Sequence, residues 1–365
     1  LETQMNDQLE NHKFYGGLLA TTDLKSGSFY GEYRFLKYTI DFHTRYARKS
    51  LIRPTESSSQ KYTLNTYEIG ASLPFSVTSR LSIVPFVETT RFWDLDPTSV
   101  LYSTTGPVTS KINYAGVKFE FIYDNTTVSG LNLIQGTRGK VGLRHNEGVS
   151  DSQKSFSNLY LDLRHYQKIH RELVLATRLF YGRYWGANPQ KYLLGGMDNW
   201  LFNKTNSTGE GDPLRHSVGV DNSNILFVDY VTSLRGFDYN TFNGDNTLLF
   251  NAELRLPFIK YLVRGPIASN FLRNLQFIGF YDIGSAWTGP SPFATENSVN
   301  TEIIAPQGSP FKARIQNFKN PWLSSYGFGV RTVLLGYYVK FDVAYPIEDF
   351  VRKDTKFLVT LGYDF

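Results

Sequence analysis

The sequence predicts an all-β protein, a transmembrane antiparallel β-barrel, and three observations predict it. Segment after segment alternates apolar residues with polar or small ones. The connections between these segments alternate in length. Aromatic residues make up 16% of the 365-residue chain, with 28 Phe, 24 Tyr and 5 Trp. Successive side chains of a strand point to opposite faces, so alternation gives each strand one greasy and one polar face. Barrels that cross a membrane seat aromatic girdles at both interfaces, which accounts for a load beyond the needs of a soluble core. No stretch approaches the ~20 apolar residues of a membrane helix, and mean hydropathy is −0.29. The net charge of +5 is spread without a basic run, which gives no footprint for nucleic acid. The chain has no Cys, which fits an oxidising compartment. Leu1-Glu2-Thr3-Gln4 is no signal peptide, so a mature or truncated piece is expected.

Taken in order, the alternation predicts strands over Phe14–Thr22, Phe29–Phe35, Tyr38–Ala47, Thr66–Phe75, Leu81–Phe92, Tyr114–Asp124, Leu131–His145, Leu159–Gln167 and Leu173–Tyr184. Further strands are predicted over Thr247–Phe258, Leu275–Trp287, Tyr326–Leu335, Tyr338–Tyr345 and Phe357–Phe365. That is about fourteen, an even number as single-chain barrels prefer. The polar residues 1–12 are read as a segment ahead of a barrel spanning 13–365.

The faces sort by chemistry. Val117, Phe119, Phe121 and Tyr123 oppose Gly116, Lys118 and Glu120, and Ala252, Leu254, Leu256 and Phe258 oppose Asn251, Glu253 and Arg255. A sealed polar lumen explains charges clustered on one face in strand after strand. The last strand puts Phe357, Val359, Leu361, Tyr363 and Phe365 on one face and ends on an aromatic, the pattern of a closing barrel strand. Within it Gly362 contributes no side-chain packing.

Short turns at 36–37, 77–79, 125–129, 168–170 and 335–336 alternate with long polar loops at 50–61, 94–111, 146–155, 186–244 and 288–322. Short periplasmic turns and long extracellular loops are the asymmetry of bacterial barrels. Ile259–Asn274 breaks the rule, being long on the short-turn side, and is expected to form a small structure of its own. The loop over 187–243 far exceeds an ordinary connection.

That loop contains Tyr192-Leu193-Leu194-Gly195-Gly196 and Ser233-Leu234-Arg235-Gly236-Phe237. After it come Asn251-Ala252-Glu253-Leu254-Arg255-Leu256-Pro257, Phe280-Tyr281-Asp282-Ile283-Gly284, Gly327-Phe328-Gly329-Val330-Arg331 and Phe341-Asp342-Val343-Ala344-Tyr345-Pro346. In that order these segments resemble the barrel domain of the BamA/TamA/TpsB superfamily of outer-membrane insertases and two-partner translocators. The resemblance covers about Leu173 to Phe365. It implies that the loop folds into the lumen and carries Leu234, Arg235, Gly236 and Phe237 as its tip. Arg235 would pair with Asp282, and with Glu253 as a second partner. It also implies a lateral seam at Phe357–Phe365 and an outer-membrane location in a Gram-negative bacterium. Most members have sixteen strands, so either two opening strands and an upstream domain are missing from this chain or the barrel is a smaller one. Lipid, lipopolysaccharide, client proteins and accessory subunits would be the partners. Without the family, the same residues leave another reading open: a solvated Arg235, with Asp282 paired to Arg255 or Arg331.

No bond chemistry stands out. The six His are scattered without metal-ligand spacing, and neither a nucleophile elbow nor a phosphate-cradling glycine loop occurs. The expectation is a protein that is not an enzyme and needs no cofactor or metal. Two further functions fit a barrel: a porin-like channel constricted by the long loop, and an anchor for an upstream domain.

Overall fold

The computed structural model describes residues 2–20, 26–54, 59–94, 108–206, 212–214, 222–263, 265–295, 297–304, 313–316, 319–362 and 364–365. Among the described residues, seventeen strands form one sheet. Two of them, Thr127–Gly130 and Val351–Arg352, are short pieces beside turns. The other fifteen make the wall. They are β1 (Glu2–Asn6), β2 (His12–Ala20), β3 (Gly27–Phe35), β4 (Asp41–Pro54), β5 (Ser59–Ser76), β6 (Ser79–Asp94), β7 (Val108–Asp124) and β8 (Leu133–Gly148). There follow β9 (Phe156–His170), β10 (Leu173–Gly186), β11 (Asn246–Leu256), β12 (Gln276–Trp287), β13 (Leu323–Leu334), β14 (Tyr337–Glu348) and β15 (Lys356–Leu361). Each pairs antiparallel with the next, from β1–β2 to β14–β15. No helix among the described residues is long and apolar enough to cross a membrane, which says nothing against spanning by strands.

The sheet curls on itself. Asn132, in the turn before β8, donates to Asp364 beyond β15 at 2.8 Å, although six wall strands separate β8 from β15 in pairing order. The alternation read from the sequence sorts the two faces. Phe119, Phe121, Leu143, Phe250, Leu254, Phe277, Tyr281, Tyr326 and Phe328 are exposed on the outside. Glu88, Asn251, Glu253, Arg255, Asp282, Arg331, Lys340 and Asp342 are buried on the inside. An apolar outer face and a charged inner one are unfavourable in water and suited to lipid.

Two elements differ from the sequence reading. The polar N-terminal segment 1–12 is not outside the sheet: Glu2–Asn6 pairs with β2 from Glu2↔Gly17 to Asn6↔Lys13. Its side chains are exposed, and edge pairing through backbone groups needs no apolar pattern, so the sequence carried no signal for it. The turn is set by Asp7, whose side chain accepts from the His12 backbone at 3.0 Å, and by Glu10 at φ +54°. The second difference is that β15 stops at Leu361. Gly362 has φ +97°, a left-handed conformation that bends the chain inward. Ile259–Asn274 holds two short helices, α1 (Phe258–Leu262) and α2 (Asn270–Arg273), as a small structure at the short-turn end.

Candidate functional site

The loop between β10 and β11 folds into the lumen and makes its own small sheet. Tyr192–Leu194 pairs parallel with Asp229–Val231 and antiparallel with Phe242–Gly244. Tyr192, Leu193, Leu194, Leu214, Ile225, Leu226, Phe227, Val231, Leu234 and Phe237 of the loop form one buried cluster. The wall contributes Tyr62, Phe92, Tyr114, Phe156, Tyr184, Leu249, Ala286 and Leu323 to it, so the loop packs against strands from β5 round to β13. Burial of this apolar surface, worth ~25 cal/mol per Å², is what draws the loop inside. Polar ties orient it: Tyr184 donates to Asp229, and the Tyr192 hydroxyl donates to Asn158 at 2.8 Å.

The tip is Ser233-Leu234-Arg235-Gly236-Phe237. Ser233 and Gly236 have φ of +76° and +87°, which turns the chain sharply on both sides of Arg235. A Cβ at Gly236 would lie 3.1 Å from Pro346 Cβ and 3.3 Å from Ala344 Cβ, so the tip lies against β14. Leu234 is held by an isolated bridge to Gly196, and its N–H donates to the Gly196 carbonyl at 3.2 Å.

Arg235 is fully buried. Its Nε donates to Asp282 Oδ2 at 2.7 Å and its Nη2 to Asp282 Oδ1 at 2.8 Å, a two-pronged bond to one carboxylate. Its Nη1 donates to Glu253 Oε1 at 2.7 Å, and its own backbone N–H reaches Asp282 Oδ2 at 3.3 Å. The guanidinium carbon lies 3.7 Å from the Phe280 ring centroid. Charge-assisted, bidentate bonds of this kind fix a fork-shaped cation in position as well as binding it. Asn251 completes the cradle by donating to Asp282 Oδ1 at 2.8 Å and to the Ser233 carbonyl of the loop. Asn251 and Glu253 are inward residues of β11, and Phe280 and Asp282 of β12, with Asn251 directly opposite Asp282 in the register.

From this clamp the ionic network runs to the chain terminus. Glu253 Oε2 accepts from Arg255 at 2.8 and 2.9 Å, and Arg255 Nη2 donates to the Phe365 carbonyl at 3.1 Å. Asp364 accepts from Arg331 Nε at 2.9 Å and lies 3.3 Å from Lys340 Nζ, while Arg331 also holds Asp342 at 2.8 Å. Arg255 and Arg331 therefore bind Glu253, Asp342 and Asp364, and leave Asp282 to Arg235.

The terminal residues are placed differently from the closing strand expected of them. Phe357 is exposed on the outer face, whereas Leu358 and Thr360 of the opposite face are buried inside. Val359 and Leu361 are half-buried, and Tyr363 lies outside the described residues. Phe365 does not continue the outward row, because the bend at Gly362 turns it inside against Leu133, Tyr166, Val174 and Ala176. Sequence reading missed Asn251, Phe280, Asn132 and Asp364 as members of the network. Inward alternation marks the first two, but nothing local marks a turn asparagine or a bent terminus.

Fold and site together define a large antiparallel barrel whose longest loop is clamped to the inner wall by a buried arginine. No family model matches the chain, nor does any curated protein sequence. Solved structures share the fold. BamA from Haemophilus ducreyi, in a form lacking POTRA domains 1–3, superposes with a TM-score of 0.57 at 11% identity, over 99% of this chain and 69% of that one. CdiB from Acinetobacter baumannii gives 0.51 at 14% identity, and CdiB from Escherichia coli 0.50 at 10%, each over 99% of this chain. The chain spans 56% and 58% of the length of these two CdiB chains. The chain has the barrel fold of BamA and CdiB.

Proposed function

We propose that this barrel resides in the outer membrane of a Gram-negative bacterium and inserts or translocates other proteins through a lateral seam at β15. The observation that carries the reading is the clamp: Arg235, at the tip of a loop folded into the lumen, bound to Asp282 and Glu253 at 2.7–2.8 Å. A clamp of this kind holds β11, β12 and the loop as one unit while strands at the seam separate. The mechanism is non-covalent, with client strands adding to an exposed backbone edge by β-augmentation. Partners in this reading are client proteins, accessory subunits, and the lipid and lipopolysaccharide around the apolar outer face. A diffusion channel is disfavoured by the buried cluster that packs the loop against the wall from β5 to β13.

The test is depletion of the protein in its own host, read by quantitative proteomics of the outer membrane and of the secreted fraction. Loss of a defined set of barrel proteins or secreted proteins is expected, and complementation by Arg235→Ala should fail to restore it. An unchanged proteome and secretome accompanied by lost uptake of a small solute would contradict the proposal and establish a channel.

A further inference from the structure

The outer edge of β15 is occupied, and its occupant is the barrel's own loop. β15 pairs with β14 on one side, and among the described residues no pairing joins it to β1. On its other side Trp200 forms an antiparallel bridge with Thr360. The Leu201 N–H donates to the Val359 carbonyl at 3.1 Å and the Leu361 N–H to the Asn199 carbonyl at 3.4 Å. The Asn199 side chain adds a bond to the Leu361 carbonyl at 3.1 Å. Residues 199–201 thus sit where an added strand would sit.

This occupant is built to be displaced. It covers three residues of a six-residue strand. Its anchor is one aromatic side chain, Trp200, buried among Met197, Phe280, Ala344 and Leu358. Its neighbours Leu201 and Phe202 are 52% and 73% exposed and add little packing. Two buried polar atoms at the bridge, Trp200 Nε1 and Thr360 Oγ1, have no hydrogen-bond partner among the described residues. Unsatisfied buried groups make a contact costly to keep. A longer extended strand would make more backbone bonds on the same edge, and release of the latch would let solvent reach Trp200 Nε1.

We propose that Asn199-Trp200-Leu201 is a displaceable latch on the strand-accepting edge of β15, released when an extended client strand carrying an aromatic opposite Thr360 replaces it. The inference rests on the reading of β15 as a strand acceptor and adds the element that regulates it. Trp200 and Thr360 form the non-hydrogen-bonded kind of antiparallel pair, with Cα atoms ~4.5 Å apart. That separation suits a disulfide, and the chain has no other Cys.

The experiment uses the full-length protein in membranes, with folding verified by heat-modifiable migration. Trp200→Cys/Thr360→Cys is compared oxidised and reduced, and Leu201→Pro, which deletes the donor to Val359, serves as an unlocked variant without cysteines. The probe is a photoreactive decapeptide copying Lys356–Phe365. A spontaneous disulfide is expected, with roughly tenfold or greater loss of peptide capture in the oxidised form, recovery on reduction, and raised capture by Leu201→Pro. Absence of the disulfide in a folded barrel overturns the latch. Equal capture by oxidised and reduced forms overturns it too, while leaving the strand-acceptor reading intact. No capture by any form, Leu201→Pro included, overturns both.

Discussion

Arg235→Ala is the perturbation that the structure resolves most sharply. The arginine makes three side-chain hydrogen bonds to carboxylates at 2.7–2.8 Å, with no exposed surface. Removing it leaves Glu253 still bound to Arg255, but Asp282 loses its cation and keeps, among the described residues, the neutral donors Asn251 and the backbone N–H of residue 235. The orphaned charge is therefore Asp282. Breaking a buried ion pair by deleting one partner costs about 3–5 kcal/mol. Each 1.4 kcal/mol is tenfold in an equilibrium, so opening of the docked tip should become roughly a hundred- to a few-thousand-fold more frequent. Hydrogen exchange by mass spectrometry of a peptide spanning 230–240 reads this directly, since local opening sets amide protection. Adding Asp282→Asn to Arg235→Ala removes the orphaned charge and should recover most of the protection. Arg235→Lys should fall between, because an ammonium cannot make the two-pronged bond. Unchanged protection in a folded Arg235→Ala barrel would refute the clamp as the element that holds the loop.

Other outcomes follow from particular contacts. Gly236→Val places a branched side chain at φ +87° against Pro346 and Ala344, and should cost about 1–3 kcal/mol of tip docking in the same exchange assay. Asp364→Ala removes the buried carboxylate that Arg331 and Lys340 share, and should lower the temperature at which the barrel loses its compact migration on cold gels. Leu254→Arg puts a charge on the outer face, where it should cost up to ~2–4 kcal/mol and reduce membrane assembly. Lys118→Ala, on the inner face beside Glu120 with part of its side chain exposed to the lumen, should assemble normally in the same assay.

Much of this architecture was legible because a strand's period of two is a strong signal and both faces of this barrel obey it. Phe250 and Leu254 point out, and Asn251, Glu253 and Arg255 point in, as alternation alone requires. The clamp is half local. Asp282 and Glu253 lie inward by register, but bringing Arg235 to them takes a loop of nearly sixty residues whose path no pattern encodes. β1 was hidden because an exposed edge strand needs only backbone groups. The bend at Gly362 was hidden because Phe365 carries the right residue type for an outward row. Its inward turn follows from charges on Arg331, Lys340 and Arg255, far away in sequence.

The measurement that tests the central claim most directly is thiol labelling in intact cells, made clean by a chain without cysteine. Phe237→Cys replaces a tip residue only 5% exposed, and Val149→Cys replaces a loop residue 68% exposed. A membrane-impermeant maleimide should modify Val149→Cys readily and leave Phe237→Cys untouched, until Arg235→Ala is added to the same chain. Labelling of Phe237→Cys as fast as Val149→Cys, with Arg235 intact and the barrel folded, would contradict a loop tip clamped inside the wall.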